Sequence, residues 1–309
     1  MTSQKAGLVV ACLLFAAMAA RVSAETIIPA PISQYSFQER AGATTVTDNF
    51  RGNAGKGTIY KWDGSAATVT SGSFGAGIVG KGMYFDGSTY VTAPLVGAAL
   101  SEYTLSAWVK LDSWNGYSDA HSIVKNWADR ALGSAHLGTI GNSWANYVGT
   151  QQGSWPGVFS YGDGPTSVSQ NVGKWTQVIT TVSGSAGEIK LYMDGGLADP
   201  STPSGAVNTF SGNISDALTT MAFGVKLNDD FSGPSFGNEQ WLRGWLDEIT
   251  FWDKALTPDQ VSSLYTSNLS GIDPIGVPEI DPAGFGSVAA LVTGALGLIE
   301  RRRLKARAA

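Results

Sequence analysis

Short runs of alternating or continuously apolar residues, separated by clusters of glycine, asparagine and aspartate, make up most of the chain. Clear examples are residues 104–109, 176–182 and 188–193. Because successive side chains of a strand point to opposite faces, such runs predict half-buried or fully buried β-strands. Asp-Gly pairs among these clusters supply the positive φ angles that tight turns require. Many short strands joined by such turns predict an all-β, two-sheet antiparallel sandwich.

One short helix is predicted near the carboxyl end of this pattern. Thr257 can serve as its N-cap, Pro258 suits the first helical position, and Gln260 can reach back to complete a capping box. We expect the helix to continue to about Ser267. The strands and this helix define one predicted domain over residues 25–269, a length that a single all-β sandwich can occupy.

The amino-terminal residues predict a secretory signal peptide. Lys5 precedes an uncharged run over residues 6–20, and small residues up to Ala24 provide a cleavage site. Residues 1–24 are therefore predicted to be removed on export. A retained amino-terminal anchor is the alternative.

The carboxyl-terminal residues predict a membrane segment. No residue between Asp281 and Glu300 is charged. A helix of about 18 such residues covers roughly 27 Å, close to the thickness of a hydrocarbon core. The basic cluster that follows, Arg301, Arg302 and Arg303, resists crossing the membrane and stays cytoplasmic. Residues 283–309 therefore predict a C-terminal transmembrane helix with a basic tail, preceded by a linker over residues 270–282.

This carboxyl-terminal arrangement is similar to a known sorting signal. The pair Pro278-Glu279, the apolar helix and the arginine cluster, combined with a signal peptide, resemble the PEP-CTERM family. Membership implies export across the inner membrane, processing by an exosortase-type enzyme, and a final place at the cell surface or in extracellular matrix. Ile280 stands where the family has a second proline, which puts the processing point in question. An ordinary single-span anchor is the alternative.

Composition narrows the possible partners and chemistry of the central domain. Residues 25–282 contain nearly twice as many acidic as basic side chains, which argues against nucleic acid as a partner. The one cysteine, Cys12, lies in the predicted signal peptide, so the mature chain has no disulfide and no thiolate chemistry.

Several separate motifs of the domain resemble the LamG-like jelly roll of the concanavalin A-like lectin/glucanase superfamily. They follow one another in the family's order: residues 35–39 with 48–53, residues 82–91, residues 103–110, Trp175 with residues 191–195, and residues 244–249 with the capped helix. The resemblance implies a jelly-roll sandwich that binds polysaccharide or extracellular glycoprotein, often with calcium. Most free-standing modules of this family are not enzymes.

The residues themselves also argue against catalysis. Retaining glucanases need two carboxyl groups about 5 to 5.5 Å apart, on one face of a strand. Here Asp247 and Glu248 are adjacent, so alternation predicts that they point to opposite faces. The two histidines, His121 and His136, are not accompanied by a nucleophile motif or by enough ligands for a zinc site. We therefore expect no enzyme activity.

A structural calcium ion is the cofactor that the resemblance implies. Carboxylate and amide oxygens are the hard ligands that Ca²⁺ prefers. The family pattern places Asp247 at the centre of the site, with Glu39, Asn53 and Asp48 from the first strand and its turn. The alternative is that Asp247 bonds backbone amides of a turn.

Aromatic residues interleaved with asparagine, glycine and serine between residues 113 and 165 predict a ligand-binding surface. Sugars bind through aromatic faces and amide side chains. The candidates are Trp114, Tyr117, Trp144 and Trp155, which lie among turn residues. Trp108 and Trp252 lie in strand-like runs and are assigned to packing.

Two functions follow from these patterns. The first is an exported, non-catalytic module that recognises polysaccharide or glycoprotein. The second is a structural matrix protein whose sandwich binds nothing in particular. A glycoside hydrolase is a third, weaker reading, because the required carboxyl pair is missing from the sequence.

Overall fold

The computed structural model of the protein describes residues 26–94, 100–116, 120–126, 135–149, 157–162 (backbone), 167–198, 206–211, 214, 220–228, 232–235 and 240–272. The predicted signal peptide, the Pro278-Glu279 pair and the predicted membrane segment with Arg301, Arg302 and Arg303 lie outside these residues. Within the described ranges, no helix is both long and apolar enough to cross a bilayer.

The described residues form a succession of strands with two short α-helices. The strands are β1 Ser33–Tyr35, β2 Thr45–Asp48, β3 Gly52–Lys61, β4 Phe74–Ala76, β5 Lys81–Asp86, β6 Thr89–Pro94, β7 Glu102–Leu111, β8 Ser122–Asn126, β9 Ala135–Ile140, β10 Ser143–Gly149, β11 Gly157–Gly162, β12 Thr176–Ser183, β13 Glu188–Met193, β14 Gly196–Leu197, β15 Val207–Thr209, β16 Thr220–Phe223 and β17 Arg243–Trp252. The helices are α1 Val168–Asn171 and α2 Pro258–Leu269, and a 3₁₀ turn spans Ser71–Ser73.

These strands form two antiparallel sheets. Sheet A has the order β14-β13-β12-β7-β17-β5-β4, with β1 also paired to β17 and β15 to β13. Sheet B has the order β11-β10-β9-β8-β16-β6-β3-β2. Buried side chains from both sheets form one apolar cluster, in which Tyr35 of sheet A meets Phe223 of sheet B with ring centroids 4.9 Å apart. The predicted all-β, two-sheet sandwich is confirmed.

Helix α2 begins as the sequence predicted. The Thr257 hydroxyl accepts a hydrogen bond from the Gln260 backbone N–H, and the Gln260 side chain accepts one from the Thr257 N–H. The helix ends two residues later than expected, at Leu269, and packs on the outer face of sheet A. There Tyr265 stacks on Trp108 with ring centroids 5.5 Å apart. The second helix, α1, was not predicted from the sequence.

The outer face of sheet A is therefore covered at one end. Trp108 is buried and donates its indole N–H to the Asn268 side chain of helix α2. Trp252 is buried too, and its indole N–H donates to the Pro29 carbonyl at 2.8 Å. Both tryptophans have the packing role that the sequence assigned to them, although they pack outside the sheet rather than between the sheets.

Strand β17 contains a β-bulge that the sequence did not predict. Its pairing with β7 shifts register between Asp247 and Thr250, and Glu248 has a φ of 47°. Leu246 and Ile249 both reach the core although they are three residues apart. Strict alternation therefore fails here, so alternation alone does not assign Asp247 and Glu248 to opposite faces.

Candidate functional site

Of the four aromatic residues proposed from the sequence, the structure describes Trp114 and Trp144, and both pack against the core. Trp144 is only 1% exposed and belongs to the core between the sheets, because residue 144 has the inward phase of strand β10. Its ring is not available to stack on a ligand, which corrects the expectation. Trp114 is half-buried against the core and donates its indole N–H to the Gly141 carbonyl at 3.2 Å. Tyr117 and Trp155 lie outside the described residues.

Three of the four proposed calcium ligands, Asp247, Asp48 and Glu39, accept hydrogen bonds from the protein itself. Asp247 is fully buried, and its carboxylate accepts the backbone N–H groups of Ile78 at 2.8 Å and Val79 at 3.1 Å. Its other oxygen accepts the N–H of Glu248. This is the turn-bonding alternative, in which Asp247 fixes the loop between β4 and β5.

Asp48 is bound in a similar way, with a cation among its donors. Its carboxylate accepts hydrogen bonds from the Ser33 hydroxyl at 2.7 Å and from the Arg51 guanidinium at 2.7 Å. Burial alone would raise the pKa of the Asp48 carboxyl, but hydrogen bonds from Arg51, Ser33 and Phe50 outweigh it and hold the pKa below its usual value. A guanidinium occupies the place where a calcium ion would need the same oxygens.

The remaining two candidates do not complete a metal site. Glu39 accepts the Thr47 backbone N–H at 2.7 Å, and Asn53 is exposed on strand β3. The described part of the chain contains no group of three or more His, Cys, Asp or Glu side chains that could hold a metal ion. Within the described ranges, these four candidates do not bring together the six to eight oxygen ligands that calcium needs.

The adjacent carboxyl groups of strand β17 do not line an open cleft. Asp247 and Glu248 are 0% and 3% exposed. While Asp247 binds the loop before β5, Glu248 accepts a hydrogen bond from the Gln34 side chain of strand β1 at 2.7 Å. A glycosidase pair must reach both sides of a bound glycosidic bond, whereas both of these groups are buried and accept hydrogen bonds from the protein.

A different set of aromatic residues lies on the uncovered end of the outer face of sheet A. Lys110 of β7, Trp245 of β17 and Tyr84 of β5 are direct cross-strand neighbours, and Trp175 adjoins them at the start of β12. Their side chains point outward because Val109, Leu246 and Met83, next to them in sequence, point into the core. All four are half-buried. We call these four residues the platform.

The platform side chains contact one another closely. The ring centroids of Tyr84 and Trp245 are 5.1 Å apart, and the Lys110 ammonium lies 5.3 Å from the ring centroids of both Trp175 and Trp245. Cation–π attraction of this kind stabilises the two indoles on either side of the lysine. The platform spans the four neighbouring strand positions β12, β7, β17 and β5, about 4.8 Å apart, so it extends over roughly 14 Å.

Two glycines make room for the indole rings. A Cβ atom at Gly75 of strand β4 would lie 2.6 Å from the Trp245 ring, and one at Gly82 of strand β5 would lie 3.1 Å from the Trp175 ring. Any side chain at Gly75 would displace the Trp245 ring. The local sequence therefore allows the rings to lie close against the sheet.

Charged residues of both signs border the platform. The Tyr84 hydroxyl donates to Asp112 at 2.6 Å, and this hydrogen bond, together with burial, raises the pKa of Tyr84 to about 12. Asp112 is exposed, as are Asp86 and Arg243 at the same end of the platform. The surface thus combines apolar ring faces with polar groups, the combination typical of sugar-binding sites.

Sequence reasoning used the platform residues only as family markers. The sequence does contain an indication of them. Tyr84, Lys110 and Trp245 each lie at a position whose side chain points outward, in a strand whose inward-pointing residues are apolar. A large aromatic side chain at an outward position must be covered by another element or exposed. Trp108 and Trp252 are covered, and the sequence does not distinguish them from Trp245.

The outer face of sheet B contains a second polar cluster, and its described contacts fix a loop. Lys125 and Ser122 of strand β8 both donate hydrogen bonds to the Gln240 side chain, each at 3.1 Å. Burial, with the nearby charges of Lys125 and Lys226, lowers the pKa of His136 well below its usual value, so its ring is neutral at pH 7. These contacts hold the segment before β17 on the sheet.

Comparison with solved structures gives the fold. The binding domain of Paraclostridial Mosquitocidal Protein 1 aligns with a TM-score of 0.53 at 12% identity, over 77% of this chain and 52% of that one. The ligand-binding domain of botulinum neurotoxin serotype D, in complex with N-acetylneuraminic acid, aligns with a TM-score of 0.52 at 13% identity, over 77% of this chain and 50% of that one. The chain thus spans about half the length of these toxin domains.

A third alignment covers nearly the whole length of the other structure. Domain 4 of AbnA, a GH43 extracellular arabinanase from Geobacillus stearothermophilus, in complex with arabinotriose, aligns with a TM-score of 0.49 at 21% identity, over 76% of this chain and 98% of that one. At 13% and 12% identity, the likenesses to the two toxin domains show the fold alone. A comparison with curated proteins found no match.

A family model gives the more specific result. The Laminin_G_3 model, described as the concanavalin A-like lectin/glucanases superfamily, matches residues 85–262, which is more than half of the chain. The match includes strands β7, β12 and β17 and therefore Lys110, Trp175 and Trp245 of the platform. The chain belongs to the Laminin_G_3 family of the concanavalin A-like lectin/glucanases superfamily.

Proposed function

We propose that the protein is an exported, non-catalytic binding module for polysaccharide or extracellular glycoprotein, and that the platform is its binding surface. The observation that supports this most directly is the pair of indoles on the outer face of sheet A. Trp108, Trp114 and Trp252 all donate their indole N–H groups to acceptors of the protein. Within the described residues, no acceptor lies within hydrogen-bond distance of the N–H of Trp175 or Trp245.

An indole with an accessible ring and a free N–H is suited to a sugar. The ring packs against the C–H face of a pyranose, and the N–H donates to a hydroxyl. An aromatic side chain used only for packing gains nothing from a half-exposed position. The two indoles and Tyr84 therefore support binding over a purely structural role for this face.

The burial and hydrogen bonding of the carboxyl groups in β17 support the non-catalytic part of the proposal. Asp247 and Glu248 are buried and accept hydrogen bonds from the protein. A general acid and a nucleophile would both have to reach a substrate. Family membership leaves both lectin-like and hydrolytic functions open, so this geometry is what favours binding.

The fold also supports the proposal in a limited way. The botulinum neurotoxin serotype D domain, which shares the fold at a TM-score of 0.52, was crystallised with N-acetylneuraminic acid. The alignment covers 50% of that domain, so the shared fold is compatible with sugar binding but does not assign the sugar to the aligned half. The position of that sugar is not transferred to this chain.

A glycan array followed by pull-down on insoluble polysaccharides tests the proposal. We expect the protein to bind at least one glycan, and we expect Trp245→Ala and Trp175→Ala to weaken that binding about tenfold or more, since an aromatic contact of about 1.5 kcal/mol corresponds to that factor. The matched control is Trp62→Ala, because Trp62 is 58% exposed and follows strand β3 in sheet B.

Each outcome separates the candidate functions. Equal loss of binding in all three variants would indicate non-specific aromatic adhesion rather than a site. Absence of binding to every glycan and glycoprotein would favour the structural matrix protein. Release of reducing sugar from a bound polysaccharide would favour a hydrolase. Thermal melting of each variant shows whether it remains folded.

Export and anchoring form a separate proposal that rests on the sequence. We propose that residues 1–24 direct export, and that Pro278, Glu279 and the arginines 301–303 form a sorting signal read by an exosortase-type enzyme at the membrane. Cell fractionation tests it. Replacing the three arginines by asparagine should shift the protein out of the membrane and surface fractions, and an unchanged distribution would contradict the proposal.

A further inference from the structure

The hydrogen-bonding groups of the platform indicate which class of glycan it can take, an inference that rests on the proposed function. The indole N–H groups of Trp175 and Trp245 have no acceptor within the described residues, and neither does the Lys110 ammonium. Lys110 is held between the two rings by contacts of 5.3 Å. The platform therefore combines three available donors with ring faces that are apolar.

One strong acceptor borders the platform beside Tyr84. Asp112 accepts the Tyr84 hydroxyl at 2.6 Å, and its carboxylate is exposed. A carboxylate has about four acceptor positions, so one hydrogen bond leaves the others for a ligand. Tyr84 fixes the direction of the group, because a short hydrogen bond to a charged oxygen is among the stronger ones. A fixed carboxylate of this kind can accept from two neighbouring hydroxyls at once.

The charges around the platform balance each other. Lys110 and Arg243 are positive, whereas Asp112 and Asp86 are negative, and the whole chain has a formal net charge of −5. The negative charges of Asp112 and Asp86 each raise the pKa of the Tyr84 hydroxyl, and the smaller effect of Arg243 lowers it. A sugar carboxylate or sulfate placed beside Tyr84 would face two like charges without a surplus of basic groups to offset them.

We infer that the platform binds a neutral, hydroxyl-rich polysaccharide, with sugar rings stacked on Trp175 and Trp245 and a vicinal diol bound by Asp112. Asp112 then acts as the specificity-determining residue, and Tyr84 acts as the residue that positions it. Acidic polysaccharides are poor ligands for this surface. Neutral ligands bind with little dependence on salt, since no counterions are released.

Affinity electrophoresis of the whole protein in gels containing one polysaccharide tests this inference. Laminarin, galactomannan and arabinan serve as neutral probes, and alginate and polygalacturonate as acidic ones. We expect retardation by at least one neutral probe, unchanged by added salt, and none by the acidic probes. Asp112→Asn should weaken retardation about tenfold or more, because it removes a charged acceptor. Tyr84→Phe should have a smaller effect in the same direction.

The control for charge is Asp253→Asn, since Asp253 is exposed at the opposite end of strand β17 and should not affect binding. Retardation by alginate that disappears with salt would overturn the inference while leaving a binding function in place. If the Asp112→Asn variant binds with wild-type affinity, Asp112 does not determine specificity. This holds even if Trp245→Ala abolishes binding. If no probe retards the protein, and the glycan array is also blank, the proposed function and this inference fall together.

Discussion

Replacing Asp48 by asparagine tests how the first strands of the sandwich are held together. The substitution keeps the shape of the side chain, so the close approach of Gly55 is preserved. One oxygen of Asp48 accepts the backbone N–H groups of Phe50 at 2.9 Å and Arg51 at 3.0 Å, which the amide oxygen of asparagine can also do. The other oxygen accepts the Ser33 hydroxyl and the Arg51 guanidinium, both at 2.7 Å, and there asparagine would present donors to donors.

The expected loss of stability follows from these two hydrogen bonds. A hydrogen bond to a charged group contributes about 1.5–3 kcal/mol, and the two losses are not additive because the Ser33 hydroxyl can rotate. The Arg51 side chain is 18% exposed and Asp48 is 0% exposed, so solvent compensates the arginine only in part. We expect the free energy of unfolding to fall by about 3 kcal/mol. For a domain of this size the melting temperature should then fall by roughly 6–12 °C.

The effect should depend on pH in one direction. The pKa of Asp48 is held below its usual value in the folded state, so the unfolded chain binds more protons in the acidic range. The stabilisation from the charged carboxylate is complete above the unfolded pKa of about 4 and is lost as the pH falls through the folded pKa. The difference in free energy of unfolding between the wild type and Asp48→Asn should therefore become smaller below about pH 4.

Urea unfolding and thermal melting of both proteins at pH 7 and at pH 2.5 measure these quantities. Asp63→Asn is the matched control, because Asp63 also accepts hydrogen bonds from a following serine, Ser65, but is exposed to solvent, and its replacement should have a smaller effect. A melting temperature within 2 °C of wild type at pH 7, or a difference that persists unchanged at pH 2.5, would refute the reasoning.

Three further predictions address the platform, the helix and the metal. Gly75→Ala should displace the Trp245 ring and weaken glycan binding about tenfold, with little change in melting temperature. Affinity electrophoresis and thermal melting measure the two effects. Unchanged binding would mean that the ring has no fixed position. Asn268→Ala should lower the free energy of unfolding by about 2 kcal/mol in urea titrations, because Trp108 and Gln177 both donate to Asn268 in a buried site. A loss below about 0.5 kcal/mol would contradict this. A chelator should leave the melting temperature within about 1 °C, because the proposed calcium ligands already accept protein donors; a clear drop that added calcium reverses would restore the calcium prediction.

The parts of the fold that the sequence predicted are those determined by local rules. Alternation and turn residues predicted the two-sheet sandwich, and the capping residues Thr257 and Gln260 predicted the start of helix α2. Both signals depend on residues close together in the chain. Burial of Trp108 and Trp252 was also predicted, although the element that covers each of them is more than 100 positions away in sequence.

The parts that the sequence did not predict depend on distant contacts. The bulge at Glu248 is visible only once strand β17 is paired with β7, since both neighbours of the bulge otherwise fit an alternating strand. Trp144 lies among turn-like residues, yet its inward phase in β10 is fixed by pairing with β9 and β11. The platform likewise needs three strands and the residue before β12 to meet, and no single run of sequence contains it.

The position of β17 in sheet A also affects when the domain can form. This strand lies between β7 and β5 and pairs with β1, whose residues are made more than 200 positions earlier. During synthesis, every shorter nascent chain lacks the middle of its own sheet and exposes two unpaired edges. Such a chain cannot complete sheet A, so we expect the sandwich to close only after β17 has been synthesised.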